Sequence, residues 1–481
     1  MARTIPDLPK LGQPTSLPTE KSSNSFWHSE PSPLLLGHRS TRELPATADV
    51  VIIGSGITGA SIAHHLLNNN DGSADRPLDV VMLEAREACW GATGRNGGHC
   101  QPIFFEYPHD PEIGHFELSN YNTLKSLIET SSIDCEWNAQ PGVRGIYSAS
   151  KLAQARDNIA IVQRTKPELG NLMTLVTDKP TLTKYHHPHA LGAVITSLAA
   201  RLWPYKLVAH ILSTLLTAPS KPLNLQTLTP ALSISSDPSS PHTHTVHTPR
   251  GPIATKTIAL ATNAYTSHLL PAFADLIVPV RGQMSALAPP PSLSGPSARL
   301  HTSMGFEGDG LDDYLIQRPE ARGGHLMFGG GRNLGESMGV TDDGVVEAKT
   351  ARYLRRTLLD ACGLPEGRDA GAELAAVAEW TGIMGFSRDE VPWVGPVPGD
   401  GGRGVFVAAG FTGHGMPNTW LSGKAVASMV RAGLRGEDGV EVARRETGLP
   451  GAYLVTEQRV ERALKGESVE IRDEKEKGRG E

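Results

Sequence analysis

Ala48–Ala60 reads ADVVIIGSGITGA. Val50–Ile53 is a short apolar, β-branched run stopped by a glycine, the pattern of a buried strand. Gly54, Gly56 and Gly59 satisfy G-x-G-x-x-G around Ser55, Ile57 and Thr58, and Thr58–Asn68 has helical periodicity. Gly54 permits a tight turn, Gly56 leaves room for a pyrophosphate, and Gly59 lets the helix pack close to the strand. The helix N-terminus adds free N–H groups and positive partial charge. A second apolar run, Asp79–Leu83, ends at Glu84, with Ala85 and Arg86 beside it. Glu84 lies 25 residues past Gly59, close to the roughly 20 expected of the carboxylate that binds a ribose hydroxyl. A bound dinucleotide follows.

With 481 residues the chain should form two or three domains. A net charge of −6 gives no reason to expect nucleic acid or an anionic membrane as partner. Cys89, Cys100, Cys135 and Cys362 lack C-x-x-C spacing, which argues against a zinc site or disulfide framework and fits a reducing compartment. No apolar run reaches the ~18 residues of a transmembrane helix, and the N-terminus lacks a secretory pattern. A soluble cytoplasmic protein without a metal is expected.

Residues 1–46 are rich in Pro and Ser and should wrap the surface ahead of the first strand. Helices are expected near 115–130, at Lys151–Arg164 and at Trp203–Leu216, and strands at Val143–Tyr147, Leu223–Leu228, Ala231–Ile234 and Thr257–Thr262. Val278–Ala286 and His325–Gly329 suit a second, antiparallel sheet, and Val405–Ala409 is the last apolar strand, followed by a core helix over Gly423–Leu434. His242, His244 and His247 in Ser235–Gly251 read as an exposed hairpin, since only Asp237 is near to complete a metal site. The tail from Arg459 is charged and should be a helix that frays into a solvated end. The fold class is α/β with an α+β insert. A discontinuous nucleotide domain covers 47–110, 185–275 and 376–458, a substrate domain covers 111–184 and 276–375, an extension covers 1–46 and a tail 459–481.

Three further segments carry chemistry. Trp90–His99, WGATGRNGGH, is a glycine-rich loop that lets backbone approach a large flat ligand. Trp380–Gly395 reads as a strand-turn-strand. Val405–Met416, VFVAAGFTGHGM, runs from a strand into a glycine turn and a helix start, repeating the logic of Gly54–Gly59. A helix N-terminus favours negative charge. A reduced nicotinamide carries none, whereas a reduced flavin does at N1/C2=O, so the dinucleotide is read as FAD.

GSGITG, GATGRNGG (Gly91–Gly98), ATNAY (Ala261–Tyr265), RGQ (Arg281–Gln283) and GFTGHGM (Gly410–Met416) together resemble the FAD-dependent D-amino-acid oxidase superfamily over roughly residues 48–431. The branch is that of the sarcosine, glycine and γ-glutamylputrescine oxidases, and GATGRNGG is most similar to the last group. The resemblance implies a p-hydroxybenzoate-hydroxylase-like fold, a Rossmann-like FAD domain with an inserted substrate domain. It implies FAD held by Gly54, Gly56, Gly59 and Glu84. Ala92, Thr93, Gly94, Arg95, Asn96, Gly97 and Gly98 would line the flavin, with Ala261 and Thr262 nearby and Thr229 at the adenine. Gly410, Thr412, Gly413, His414, Gly415 and Met416 would sit at the pyrimidine side. Sarcosine oxidase tethers its flavin through a cysteine in the segment similar to Trp380–Asp389. None stands here, so FAD should be non-covalent, with His99 and Cys100 the remaining candidates for another attachment.

The reaction so implied is hydride transfer from a C–H beside an amine nitrogen to flavin N5, giving an imine that hydrolyses, with O2 or another acceptor reoxidising the flavin. The substrate would be a small amine or amino acid. Arg332, Arg318 and Arg388 are candidate carboxylate ligands. Trp380 and Tyr314 are candidate pocket walls, and His414 a candidate stabiliser of the reduced anion. A dehydrogenase of the same fold, a nicotinamide enzyme and a flavin-binding protein without turnover are the alternatives.

Overall fold

The computed structural model describes residues 8–68, 78–219, 223–237, 240–369, 371–399 and 404–467. Two sheets organise them. The first places its strands in the order Trp393–Pro396, Val405–Ala409, Gly251–Leu260, Thr47–Ile53, Val80–Leu83 and Asn224–Gln226. Along this order all neighbours are parallel except the edge pair Trp393–Pro396 and Val405–Ala409, and off it Ser240–Thr248 pairs antiparallel with Gly251–Leu260 and with Ser233–Asp237. The apolar runs read from the sequence are its central strands: Val50–Ile53 and Val80–Leu83 are buried throughout, since helices cover parallel sheets on both faces.

Helix Ile57–Asn68 follows the first strand and lies against helix Thr419–Leu434. A Cβ added at Gly423 would meet the Ser61 Cβ at 2.6 Å, and the Ser61 hydroxyl donates to the Trp420 carbonyl at 2.6 Å. This contact, between segments some 360 residues apart, sets the two glycine turns side by side.

The second sheet runs Ala376–Ser387, Ile277–Leu287, Leu326–Gly329, Leu311–Gln317, Ser303–Gly308, Asn138–Ile146, Gly192–Arg201 and His99–Cys100, with Met173–Val176 paired beside Gly192–Arg201. It was expected to be antiparallel and is mixed, because Ser303–Gly308 pairs in parallel with Asn138–Ile146. Gly192–Arg201 and Ala376–Ser387 belong to it, although the expected boundaries put both in the nucleotide domain. Their alternation fits either sheet, and only pairing partners decide.

Other expectations change with packing. Residues 8–46 run over the surface but are anchored in the core: Trp27 is fully buried, its indole N–H donating to the Asn96 carbonyl at 2.5 Å, and Trp203 donates to the Trp27 carbonyl at 2.7 Å. The charged tail does not begin at Arg459. That side chain is buried in helix Glu457–Leu464, paired with Asp389 at 2.7 Å and stacked 3.6 Å from the Trp393 ring centroid. Trp380–Gly395 is the strand-turn-strand expected, with its two strands in different sheets. Strands expected at Leu223–Leu228 and Ala231–Ile234 are Asn224–Gln226 and Ser233–Asp237. The histidine hairpin exists, Ser233–Asp237 against Ser240–Thr248, but His244 is buried and bonded to Ser236 at 2.9 Å, and His247 bonds Ser235 at 2.8 Å. The side chain of His242 lies outside the described residues.

Candidate functional site

A cavity of about 830 Å³ runs between the two sheets. Its walls come from Ile53–Thr58, Leu83–Arg86, the Gly91–Gly97 loop, Ala261–Tyr265, Ile383–Met384 and Phe411–Met416, together with the second sheet. Gly54 has φ +105, and a Cβ there would lie 2.6 Å from the Ala261 carbonyl oxygen. A Cβ at Gly59 would lie 1.9 Å from the Gly54 oxygen, so helix and turn close on each other there. At Gly56 the nearest atom to an added Cβ is the Thr93 hydroxyl, 3.1 Å away, on the cavity side.

Glu84 lines this half. Its Oε2 accepts from the Ser55 hydroxyl at 2.6 Å and the Ser55 N–H at 3.1 Å, and Oε1 accepts from the Arg86 N–H at 2.9 Å. The carboxylate is thereby fixed while Oε1 keeps acceptor capacity for a hydroxyl. Arg86 and Arg95 both line the cavity and share one buried carboxylate, Asp343: Arg86 Nη1 lies 2.9 Å from Oδ1 and Arg95 Nε 3.3 Å from Oδ2. Burial pushes Arg95 down to about 10, partly offset by Asp343.

The Gly410–Met416 turn is held by several groups. Asn263 Oδ1 accepts from the Gly410 N–H at 3.0 Å, and Thr412, at φ +50, accepts from the Ser387 N–H at 3.1 Å. A non-glycine residue in the left-handed region is strained and needs such support. Glu117, on helix Pro111–Thr130, is fully buried and accepts from the Ile103 N–H at 2.7 Å and Asn418 at 3.0 Å, with His414 Nε2 2.9 Å away. Asn120, on the same helix, donates to the Met416 carbonyl at 3.0 Å.

Most of the residues expected to hold the cofactor come together here: Gly54, Ser55, Gly56, Ile57, Thr58, Glu84, Ala85, Arg86, Ala92, Thr93, Arg95, Asn96, Gly97, Ala261, Thr262, Thr412, Gly413, His414, Gly415 and Met416 all line the cavity. Gly59, Gly94, Gly98, Thr229 and Gly410 stand behind the wall, absent from its lining. Thr229 is buried and donates its N–H to the Glu84 carbonyl at 2.9 Å, while Ala231 takes the lining position.

The substrate candidates separate more sharply. Trp380 does not wall the cavity; it is fully buried, and its indole donates to the Arg95 carbonyl at 2.8 Å. Arg318 is locked to Glu136 at 2.6 Å and packed on Phe26 and Trp203, and Arg388 ties carbonyls of Leu8 and Pro9 at 2.9 Å each. Both are structural. Arg332 lines the cavity, paired with Asp312. Tyr314 also lines it, directly over the flavin loop: a Cβ on Gly97 would lie 2.1 Å from its ring. His99 meets Tyr314 edge-on at 5.2 Å, and burial pushes its imidazole down to about 3, so it is neutral at physiological pH.

Sequence reading missed Asp343, Glu117, His99 and Gln101 as wall or support residues, and Arg144 with its partner Glu307. For His99, Gln101 and Ile103 the signal was present, since period-two alternation puts all three on one face, which is the cavity face. For Asp343 no local signal exists. The buried Thr419 hydroxyl and His268 Nε2 line the cavity without a hydrogen-bond partner. With Glu84, the cleared turn at Gly56 and the helix start at Thr419, this donor set fits FAD.

The comparisons agree. The chain is 23% identical over 412 residues to γ-glutamylputrescine oxidoreductase of Escherichia coli, covering 80% of this chain and 84% of that protein. Its fold is similar to glycine oxidase from Geobacillus kaustophilus (TM-score 0.64, 21% identity, 80% of this chain and 95% of that one). It is also similar to L-proline dehydrogenase from P. horikoshii (TM-score 0.63, 19% identity, 88% and 100%). The family model described as DAO, FAD dependent oxidoreductase, matches residues 49–429. This chain therefore belongs to the DAO family of FAD-dependent oxidoreductases.

Proposed function

We propose that the chain oxidises a C–N bond of a small amine or amino acid, with O2 as electron acceptor and H2O2 as product. The observation that carries this reading is the uncharged wall of His99 and Tyr314 set against the Gly91–Gly97 loop, inside the same cavity as the dinucleotide turn. The names of three similar proteins support the amine or amino-acid part of this reading, since they point to γ-glutamylputrescine, glycine and L-proline. Bound FAD would supply the acceptor for the hydride that leaves the carbon beside the nitrogen. Met284, Met304, Met384 and Met416 line the cavity and exclude water from the reacting carbon. Burial of the cavity wall, which keeps His99 neutral, also disfavours a charged ammonium and so favours the uncharged amine, the form that can give up hydride. The imine product is then hydrolysed to a carbonyl compound and ammonia or an amine. The four cysteines are buried free thiols, which supports a reducing, cytoplasmic setting.

The test is anaerobic mixing of the yellow holoenzyme with a panel of amines and amino acids, followed by admission of air. Bleaching by at least one, then oxygen uptake with peroxide release, is expected. A panel that never bleaches refutes C–N oxidation. Bleaching without oxygen uptake refutes O2 as the acceptor and favours a dehydrogenase.

A further inference from the structure

Asp343 lies outside every motif of the chain, yet four segments converge on it. Its carboxylate takes Arg86 from the loop after the second strand, at 2.9 and 3.0 Å, and Arg95 from the Gly91–Gly97 loop, at 3.3 Å. Its backbone carbonyl accepts from the N–H and hydroxyl of Ser23 at 2.8 and 2.7 Å, and from the Thr381 hydroxyl at 2.9 Å. Two residues earlier, the Thr341 carbonyl accepts from the Tyr265 hydroxyl at 3.0 Å. Arg86, Arg95 and Tyr265 line the cofactor cavity; Asp343 itself does not, and is 1% exposed.

The N-terminal arm is joined to the same node. Arg95 donates to the hydroxyls of Ser22 and Ser23, Arg86 donates to the Thr19 carbonyl at 3.4 Å, and Leu17 and Pro18 are part of the cavity wall. Two guanidinium groups on one carboxylate offer N–H donors along that wall, which suits a ligand with a pyrophosphate. Without the carboxylate the two cations would face each other in a buried site, and Arg86 already depresses Arg95.

We propose that Asp343 is a positioning residue for the cofactor: its carboxylate fixes Arg86 and Arg95, which in turn bond the arm of residues 8–28, and its carbonyl holds Ser23, so that arm and FAD wall are one unit and FAD binding and docking of the arm are a single event. The arm is then a component of the cofactor site, and FAD tightens it.

Two measurements on the full chain test this. The first is trypsin cleavage within the arm, where Lys10 and Lys21 are exposed, on apoprotein and on protein saturated with FAD. The second is the FAD dissociation constant from flavin fluorescence quenching. In the wild type, FAD should slow arm cleavage by about tenfold or more. Asp343→Asn should weaken FAD about tenfold or more and abolish that protection, and it should also lower the thermal midpoint of its apoprotein, because it strands two buried guanidinium groups. Thr381→Val, which keeps the carboxylate and drops the hydroxyl that bonds the Asp343 and Val345 carbonyls and the Ser23 hydroxyl, should shift both readings in the same direction by a smaller factor, and serves alone if Asp343→Asn does not fold. The proposal fails if FAD leaves arm cleavage unchanged in the wild type. It also fails if neither variant moves the FAD dissociation constant, or if Asp343→Asn lowers apoprotein stability while FAD still binds and protects as in the wild type. None of these readings depends on turnover.

Discussion

Gly56 and Gly59 belong to one motif, but alanine at the two positions should have opposite consequences. Intrinsic propensity says that Gly59→Ala, inside helix Ile57–Asn68, should stabilise by about 1 kcal/mol. Geometry overrules it. The added Cβ would lie 1.9 Å from the Gly54 carbonyl oxygen and 3.6 Å from the Ala261 Cβ. The first is a backbone atom of a turn already at φ +105, so relief requires the helix to move off the strand. Overpacking of this kind costs about 1–3 kcal/mol or more, which exceeds the propensity gain. At Gly56 the only close neighbour is the Thr93 hydroxyl, 3.1 Å away, which can yield by a few tenths of an ångström. Gly56→Ala should thus leave the apoprotein within about 1 kcal/mol of the wild type. Its methyl occupies the space kept for the pyrophosphate, and FAD affinity should fall about tenfold to a hundredfold, or about 1.4–2.7 kcal/mol. Urea midpoints of the two apoproteins and FAD titration by fluorescence separate the effects. A Gly59→Ala protein that is more stable than the wild type, or a Gly56→Ala protein with unchanged FAD affinity, would refute the reasoning.

Acid should be unusually destabilising. His28, His65, His99 and His187 are each pushed by burial from 6.5 down to about 3. A depressed folded value means that the unfolded chain takes up protons first, so their stability contribution is complete above 6.5 and is lost as the pH falls. Asp313, raised by burial from 3.8 to about 7, works the other way and loses stability as the pH rises through that window. Four groups against one leave a slope of up to about 4 kcal/mol per pH unit near pH 5, and denaturation midpoints that are flat between pH 7 and 5 would contradict it. Arg459→Met should cost about 3–5 kcal/mol, because it removes both guanidinium contacts, at 2.7 and 2.9 Å, from the buried Asp389 carboxylate. Calorimetry reads this, and a shift of less than a degree would show that Met packs well enough on Trp393 to replace the ion pair.

The cofactor was legible because its signals are local. Gly54, Gly56 and Gly59 announce a backbone path within six residues, and Thr412 to Met416 announce another. A turn that must pass φ +105, or approach a phosphate, can be built from few residue types wherever it stands in a fold. The same holds for Glu84, whose strand is fixed by its own apolar run. Substrate residues were less legible. Arg332, Arg318 and Arg388 look alike in sequence, and what separates them is Asp312, Glu136 and the carbonyls of Leu8 and Pro9, all distant in the chain. Trp380 and Tyr314 are both strand aromatics, and the cavity lies on the face of only one of them.

What the sequence by itself determined is therefore a strand, a turn and a helix start at each end of the chain, and with them the dinucleotide. Periodicity and glycine spacing act over a few residues, and no later packing changes them. What only the tertiary structure decided is which side chains face the space between the turns. It put Trp27 of the surface wrap into the core, moved Gly192–Arg201 and Ala376–Ser387 into the second sheet, and gave Arg86 and Arg95 their shared partner in Asp343. Burial, strand pairing and ion pairing are properties of distant segments brought together, and nothing within a short window of residues encodes them.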